Sequence, residues 1–89
     1  MKYAVFFEER AKKELSKIDK PFQRLIVNKI NQMAEDFDSL KGNLKRLQGK
    51  YDYYRLRVGN YRVIFHKDDV KIIITIIRIG HRKDIYDTI

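Results

Sequence analysis

The run Ile72-Ile73-Ile74-Thr75-Ile76-Ile77 does not alternate between apolar and polar residues. A strand with one wet face alternates, so this run marks a central strand, apolar on both faces and flanked by neighbours. The chain must therefore build a sheet around this segment. Its 89 residues leave room for one domain, so residues 1–89 are expected to fold as a single unit. Two further strands are read at Tyr53 to Val58 and Tyr61 to Lys67, ahead of a last strand from Val70 to Ile79. The apolar, β-prone start, Lys2 to Phe7, needs a partner, and the last strand is the natural one.

Between the first strand and the rest the period changes. Glu8 and Glu9 suit the positive end of a helix dipole, and Ala11, Leu15 and Ile18 recur at helical spacing. Asp19-Lys20-Pro21 breaks the pattern and restarts it, because proline is tolerated in a first helical turn. Phe22, Leu25, Ile26, Ile30, Met33 and Phe37 then make a longer stripe, read as core. Asp38 to Asp52 reads as a basic connection pinned by Leu40, Leu44 and Leu47. The expected fold class is α+β with two layers. A helical hairpin packs on a mainly antiparallel four-stranded sheet, in the order strand-helix-helix-strand-strand-strand.

The net charge is +8, and cysteine is absent. The charge implies a polyanionic partner and salt-dependent binding. The lack of cysteine removes disulfide and thiolate-metal chemistry. No apolar run approaches a membrane span, and the first residues do not read as a signal peptide, so no membrane partner and a cytoplasmic location are expected.

A two-residue turn at Gly59-Asn60, with glycine supplying a positive φ, pairs Val58 with Tyr61, Arg57 with Arg62, and Leu56 with Val63. The apolar sets then coincide on one face. Arg57 and Arg62 stand opposite each other on the other face, with Arg55 beside them. Like charges directly opposite destabilise a sheet, and no acidic residue lies between Asp52 and Asp68 to relieve them. A phosphate relieves them, because guanidinium forks match its oxygens. A second two-residue turn at Asp68-Asp69 would set Arg62 against Thr75. His81 would then follow just past the strand end beside the arginine face, with Gly80 permitting a sharp bend. His66 reads as a cap at the far end of its strand. No carboxylate cluster with metal spacing accompanies these residues, so no metal and no other cofactor are expected.

The stretch Tyr54-Arg55-Leu56-Arg57-Val58-Gly59-Asn60-Tyr61-Arg62-Val63-Ile64-Phe65, with the tail Arg78-Ile79-Gly80-His81-Arg82-Lys83-Asp84-Ile85-Tyr86, resembles the RelE/ParE toxin superfamily. Leu44-Lys45-Arg46-Leu47-Gln48-Gly49 and the helical hairpin are similar too, so the likeness spans essentially the whole chain. The resemblance implies the toxin of a toxin–antitoxin pair. RelE-like members cleave messenger RNA in the ribosomal A site, whereas ParE-like members inhibit DNA gyrase. The positions matching the RelE catalytic groups are Arg55, Arg57, Arg62, Arg82 and Tyr86, with His81 as the proton-transfer candidate. The expected catalytic set is Arg57, Arg62, His81, Arg82 and Tyr86, and the RNA-binding set is Arg55, Arg46, Lys45 and Lys83. Arg55 and Arg57 depart from the lysines of RelE, and arginine is a poor general base. The implied partners are an acidic, partly disordered antitoxin, messenger RNA and the ribosome. The implied reaction is metal-independent attack of a 2′-hydroxyl, giving a 2′,3′-cyclic phosphate. A gyrase inhibitor and a non-catalytic relative that binds only RNA or antitoxin are the alternatives.

Overall fold

A computed structural model describes residues 2–47, 49 and 52–85. The elements run β1 Ala4–Phe7, α1 Glu9–Ser16, α2 Lys20–Glu35, a 3-10 segment Phe37–Asn43, β2 Leu44–Arg46, β3 Tyr53–Val58, β4 Tyr61–Asp68, β5 Ile73–His81 and α3 Arg82–Ile85. The sheet order is β1-β5-β4-β3-β2. The isoleucine-rich β5 thus sits between β1, which it meets in parallel, and β4, which it meets antiparallel.

Among the described residues the sheet has five strands where four were expected. The extra one, β2, comes from the segment read as a connection: Leu44, Lys45 and Arg46 pair with Leu56, Arg55 and Tyr54. A three-residue edge strand carries too little alternation to be seen in sequence.

Helices α1 and α2 cover one face. Ile26, Ile30 and Met33 of α2 pack with Leu56, Val63 and Phe65, and Ala11 of α1 joins the same core. At 25–30 cal/mol per Å², each fully buried Ile, Leu or Met side chain contributes about 1.5–3 kcal/mol to holding helices on the sheet. Gln23 fixes the link between the helices, donating from Nε2 to the Ile18 carbonyl at 2.6 Å. On the same side Lys67 lies over the Phe37 ring at 4.3 Å from its centroid and pairs with Asp69 at 3.3 Å.

The second hairpin differs from the two-residue turn expected at Asp68-Asp69. Asp68 pairs with Ile73, and residues 69–72 form a four-residue loop. Asp68 Oδ1 accepts the N–H groups of Val70 and Lys71, and Ile72 takes a φ of 59°. A β-branched residue rarely adopts that conformation. Here it aims the Ile72 carbonyl at the Ala4 N–H, 3.0 Å away, and so starts the β1–β5 pairing. A bulge between Ile64 and Phe65 shifts the register again, so Arg62 faces Gly80 rather than Thr75. No helix among the described residues is long and apolar enough to cross a membrane.

Candidate functional site

The Gly59-Asn60 turn forms as expected, with Gly59 at φ 58°. It pairs Arg57 with Arg62 and Val58 with Tyr61. Cross-strand partners share a face. Lys45, Arg55, Arg57 and Arg62 therefore stand on the sheet face away from α2, because Lys45 pairs with Arg55 two residues from Arg57.

The two central arginines differ. Arg57 is exposed. The phosphate role read from the sequence needs Arg62 on an open face, yet it is only 7% exposed. Its Nη1 donates to the carbonyls of Gly59 and Tyr61, both at 2.9 Å. The guanidinium is thus folded back onto the turn and fixed in place. Neither Arg57 nor Arg62 has a carboxylate partner among the described residues.

Two other arginines are claimed by the fold. Arg78 binds Glu14 through Nη2 at 2.8 Å and Nε at 3.1 Å, and the Ile79 N–H donates to the same carboxylate at 2.9 Å. Glu14 thus caps the part of β5 that runs beyond β1. Burial alone raises the Glu14 pKa, but hydrogen bonds from Arg78 and Ile79 outweigh it, and the net shift is downward. Arg46, expected to bind RNA with the others, is separated from them. It pairs with Tyr54 on the helix-covered side and bonds Asp52 at 2.8 Å.

The tail meets the turn. The Arg82 N–H donates to the Asn60 carbonyl at 2.8 Å, and Arg82 and Lys83 are exposed on α3. Gly80 does not bend, because it lies inside β5 without a positive φ. Its role is close approach: a Cβ there would stand 3.2 Å from Ile85 Cδ1. Ile85 is buried, so α3 docks on the arginine side of the sheet over the Gly80 that faces Arg62.

His81 is not beside the arginine face as expected. It ends β5 opposite Tyr61, in the row of Val58, and its ring meets Tyr61 edge-on at 5.9 Å. The missed bulge causes the difference, since a one-residue slip moves a side chain to the other face. His81 Nδ1 accepts the Lys83 N–H at 3.3 Å, which leaves the neutral ring's proton on Nε2. Its row adjoins the Arg57–Arg62 row along the strands, so a substrate must lie over the turn end of the sheet to meet both. Tyr86 lies outside the described residues.

The residues that sequence reasoning missed are those that position others. Glu14 gave no signal because its partner Arg78 is 64 positions away. Among the described residues, no group of three His, Asp or Glu side chains is placed to hold a metal ion.

Comparison with known proteins agrees with this architecture. A family model described as the ParE toxin of a type II toxin–antitoxin system matches residues 5–86. The curated toxin RelE3 of Methanocaldococcus jannaschii is 39% identical over 64 residues, covering 72% of this chain and 69% of that protein. The mRNA interferase toxin RelE of Escherichia coli is 29% identical over 85 residues, covering 93% of this chain and 86% of that one. Among solved structures, the RelE–RelB complex of Pyrococcus horikoshii superposes with a TM-score of 0.81 at 24% identity, covering 94% of this chain and 99% of that one. The RelB–RelE complex of Methanococcus jannaschii gives a TM-score of 0.70 at 30% identity, covering 93% and 96%. With the family model spanning nearly the whole chain, this protein belongs to the ParE toxin family of type II toxin–antitoxin systems, within the RelE/ParE superfamily.

Proposed function

We propose that this toxin is an endoribonuclease that cleaves messenger RNA in the ribosomal A site without a metal ion. One observation carries the reading. Arg57 and Arg62 stand directly opposite each other, with no carboxylate partner among the described residues, beside a turn bonded to the Arg82 backbone. Two facing cations are unfavourable for the sheet alone and favourable around a phosphate.

In the proposed reaction the ribose 2′-oxygen bonds to the adjacent phosphorus and gives up its proton to solvent water. The P–O5′ bond breaks, and the 5′-oxygen gains a proton. The products are a 2′,3′-cyclic phosphate and a 5′-hydroxyl. Arg62, fixed by its two carbonyl bonds, and the exposed Arg57 stabilise charge growing on the phosphoryl oxygens. Arg55, Lys45, Arg82 and Lys83 neutralise flanking phosphates. Tyr86 orients a nucleotide. His81 supplies the leaving-group proton as an imidazolium, which requires giving up its long Lys83 bond.

The similarity to the mRNA interferase toxin RelE supports the activity. The solved relatives that carry RelB support an antitoxin as the partner. An acidic, partly disordered chain suits the net charge of +8, and the cytoplasm is the expected compartment. A ParE-like gyrase inhibitor is the second reading, favoured by the family model's description. Parallel assays separate the two. The ribonuclease reading requires loss of translation with new messenger RNA 5′ ends inside codons and unaltered gyrase supercoiling. The reverse pattern would refute it.

A further inference from the structure

The sheet face that holds the arginines also carries a second row. Phe6 of β1, Thr75 of β5, His66 of β4 and Tyr53 of β3 are directly paired across four strands. His66 is therefore not an end cap. Its ring lies 5.6 Å from that of Tyr53 at 65°. Phe6 is 57% exposed, a large aromatic surface presented to water at the end of the row. Four residues along β3 separate Tyr53 from Arg57, about 13 Å at strand rise. Arg55 and Lys45 occupy the intervening row. Moving from the turn, the face therefore changes from cationic to aromatic.

That order matches a single-stranded nucleic acid. Phosphates track a basic groove while bases stack on aromatic rings, and sheet faces with exposed aromatics bind RNA in this way. An apolar protein partner would leave the flanking Arg57 and Lys45 desolvated, whereas a polyanion pairs with them. We infer that Tyr53 and His66 form a base-stacking subsite for a nucleotide flanking the cleaved phosphodiester, with Phe6 extending the platform. The inference rests on the RNA reading above and adds a second mode of holding the substrate. Because the row is remote from Arg57 and Arg62, the base it grips is not the one whose 2′-hydroxyl reacts.

The test measures binding of a short single-stranded RNA carrying 2′-O-methyl riboses, which the toxin cannot cleave. Abasic residues are placed at successive positions along it. The wild-type protein should lose roughly 5- to 100-fold in affinity when one particular flanking base is missing, the range for one stacked base. Tyr53→Leu and His66→Leu should erase the difference between intact and abasic RNA, while Tyr53→Phe should keep it. An absent penalty at every position, with Arg57→Ala still weakening binding, overturns the subsite and leaves the ribonuclease reading standing. A penalty that survives in both leucine variants overturns it as well. No binding by the wild-type protein, together with no cleavage of messenger RNA on translating ribosomes, removes both readings.

Discussion

Arg62 holds the turn and, in the proposed reaction, the phosphate, and one substitution separates the two. Arg62→Ala removes the guanidinium that donates to the Gly59 and Tyr61 carbonyls at 2.9 Å each. A hydrogen bond from a charged donor contributes about 1.5–3 kcal/mol, and here a single nitrogen serves both acceptors. Truncation also relieves the cost of holding a cation at 7% exposure. The net loss should be about 1–2 kcal/mol, which lowers the Tm by roughly 5–15 °C for a domain of this size. Cleavage should fall by at least ~10²-fold per folded molecule, the effect of deleting one donor that stabilises transition-state charge. Thermal unfolding followed by circular dichroism gives the first number. Cleavage measured well below both transitions gives the second. A Tm equal to the wild type would show that the carbonyl bonds contribute nothing. A wild-type rate in the folded variant would reduce Arg62 to a strut for the turn.

Three further outcomes follow from the same geometry. The lowered Glu14 pKa means that its share of stability is present above the unfolded value, about 4.3, and is lost as pH falls through the lower folded value. Glu14→Gln should be less stable at neutral pH and lose less on acidification; parallel acid limbs in urea titrations would contradict this. Gly80→Val should push Ile85 from its seat, since even a Cβ at position 80 would stand 3.2 Å from Ile85 Cδ1. The substitution should cost about 1–3 kcal/mol and slow cleavage, with Ile85→Ala restoring both. An unchanged rate would show that docking of α3 is unnecessary. His81→Gln should slow cleavage by roughly 10²–10⁴-fold if the imidazole transfers a proton; an unaltered rate would make it a bystander.

The parts of the site that were legible in sequence are those set by short-range rules. A two-residue turn leaves a hairpin one register, so the facing of Arg57 and Arg62 could be read directly from Gly59-Asn60. The isoleucine run placed β5 centrally, although its burial alternates: Ile74 and Ile76 are buried, whereas Ile73, Thr75 and Ile77 are half-buried on the face away from α2. The next hairpin was illegible. Its loop depends on an Asp68 side chain bonding two backbone N–H groups and on a positive φ at Ile72, which no propensity favours. That loop and the bulge moved His81 to the Tyr61 face and brought Gly80 opposite Arg62. Arg46 was grouped with its neighbours by charge, whereas the β2–β3 pairing turns it to the other side and gives it Asp52. The pairing of Glu14 with Arg78 spans most of the chain and obeys no local pattern.

The central claim is that facing arginines serve transesterification of RNA. The most direct measurement is product analysis on translating ribosomes, with and without EDTA, using messenger RNA that carries one 2′-deoxy nucleotide at the cleaved position. The account requires a 2′,3′-cyclic phosphate and a 5′-hydroxyl on the unmodified message, unaffected by EDTA, and no cut at the 2′-deoxy position. Cleavage that persists without the 2′-hydroxyl, or that stops on chelation, would contradict it.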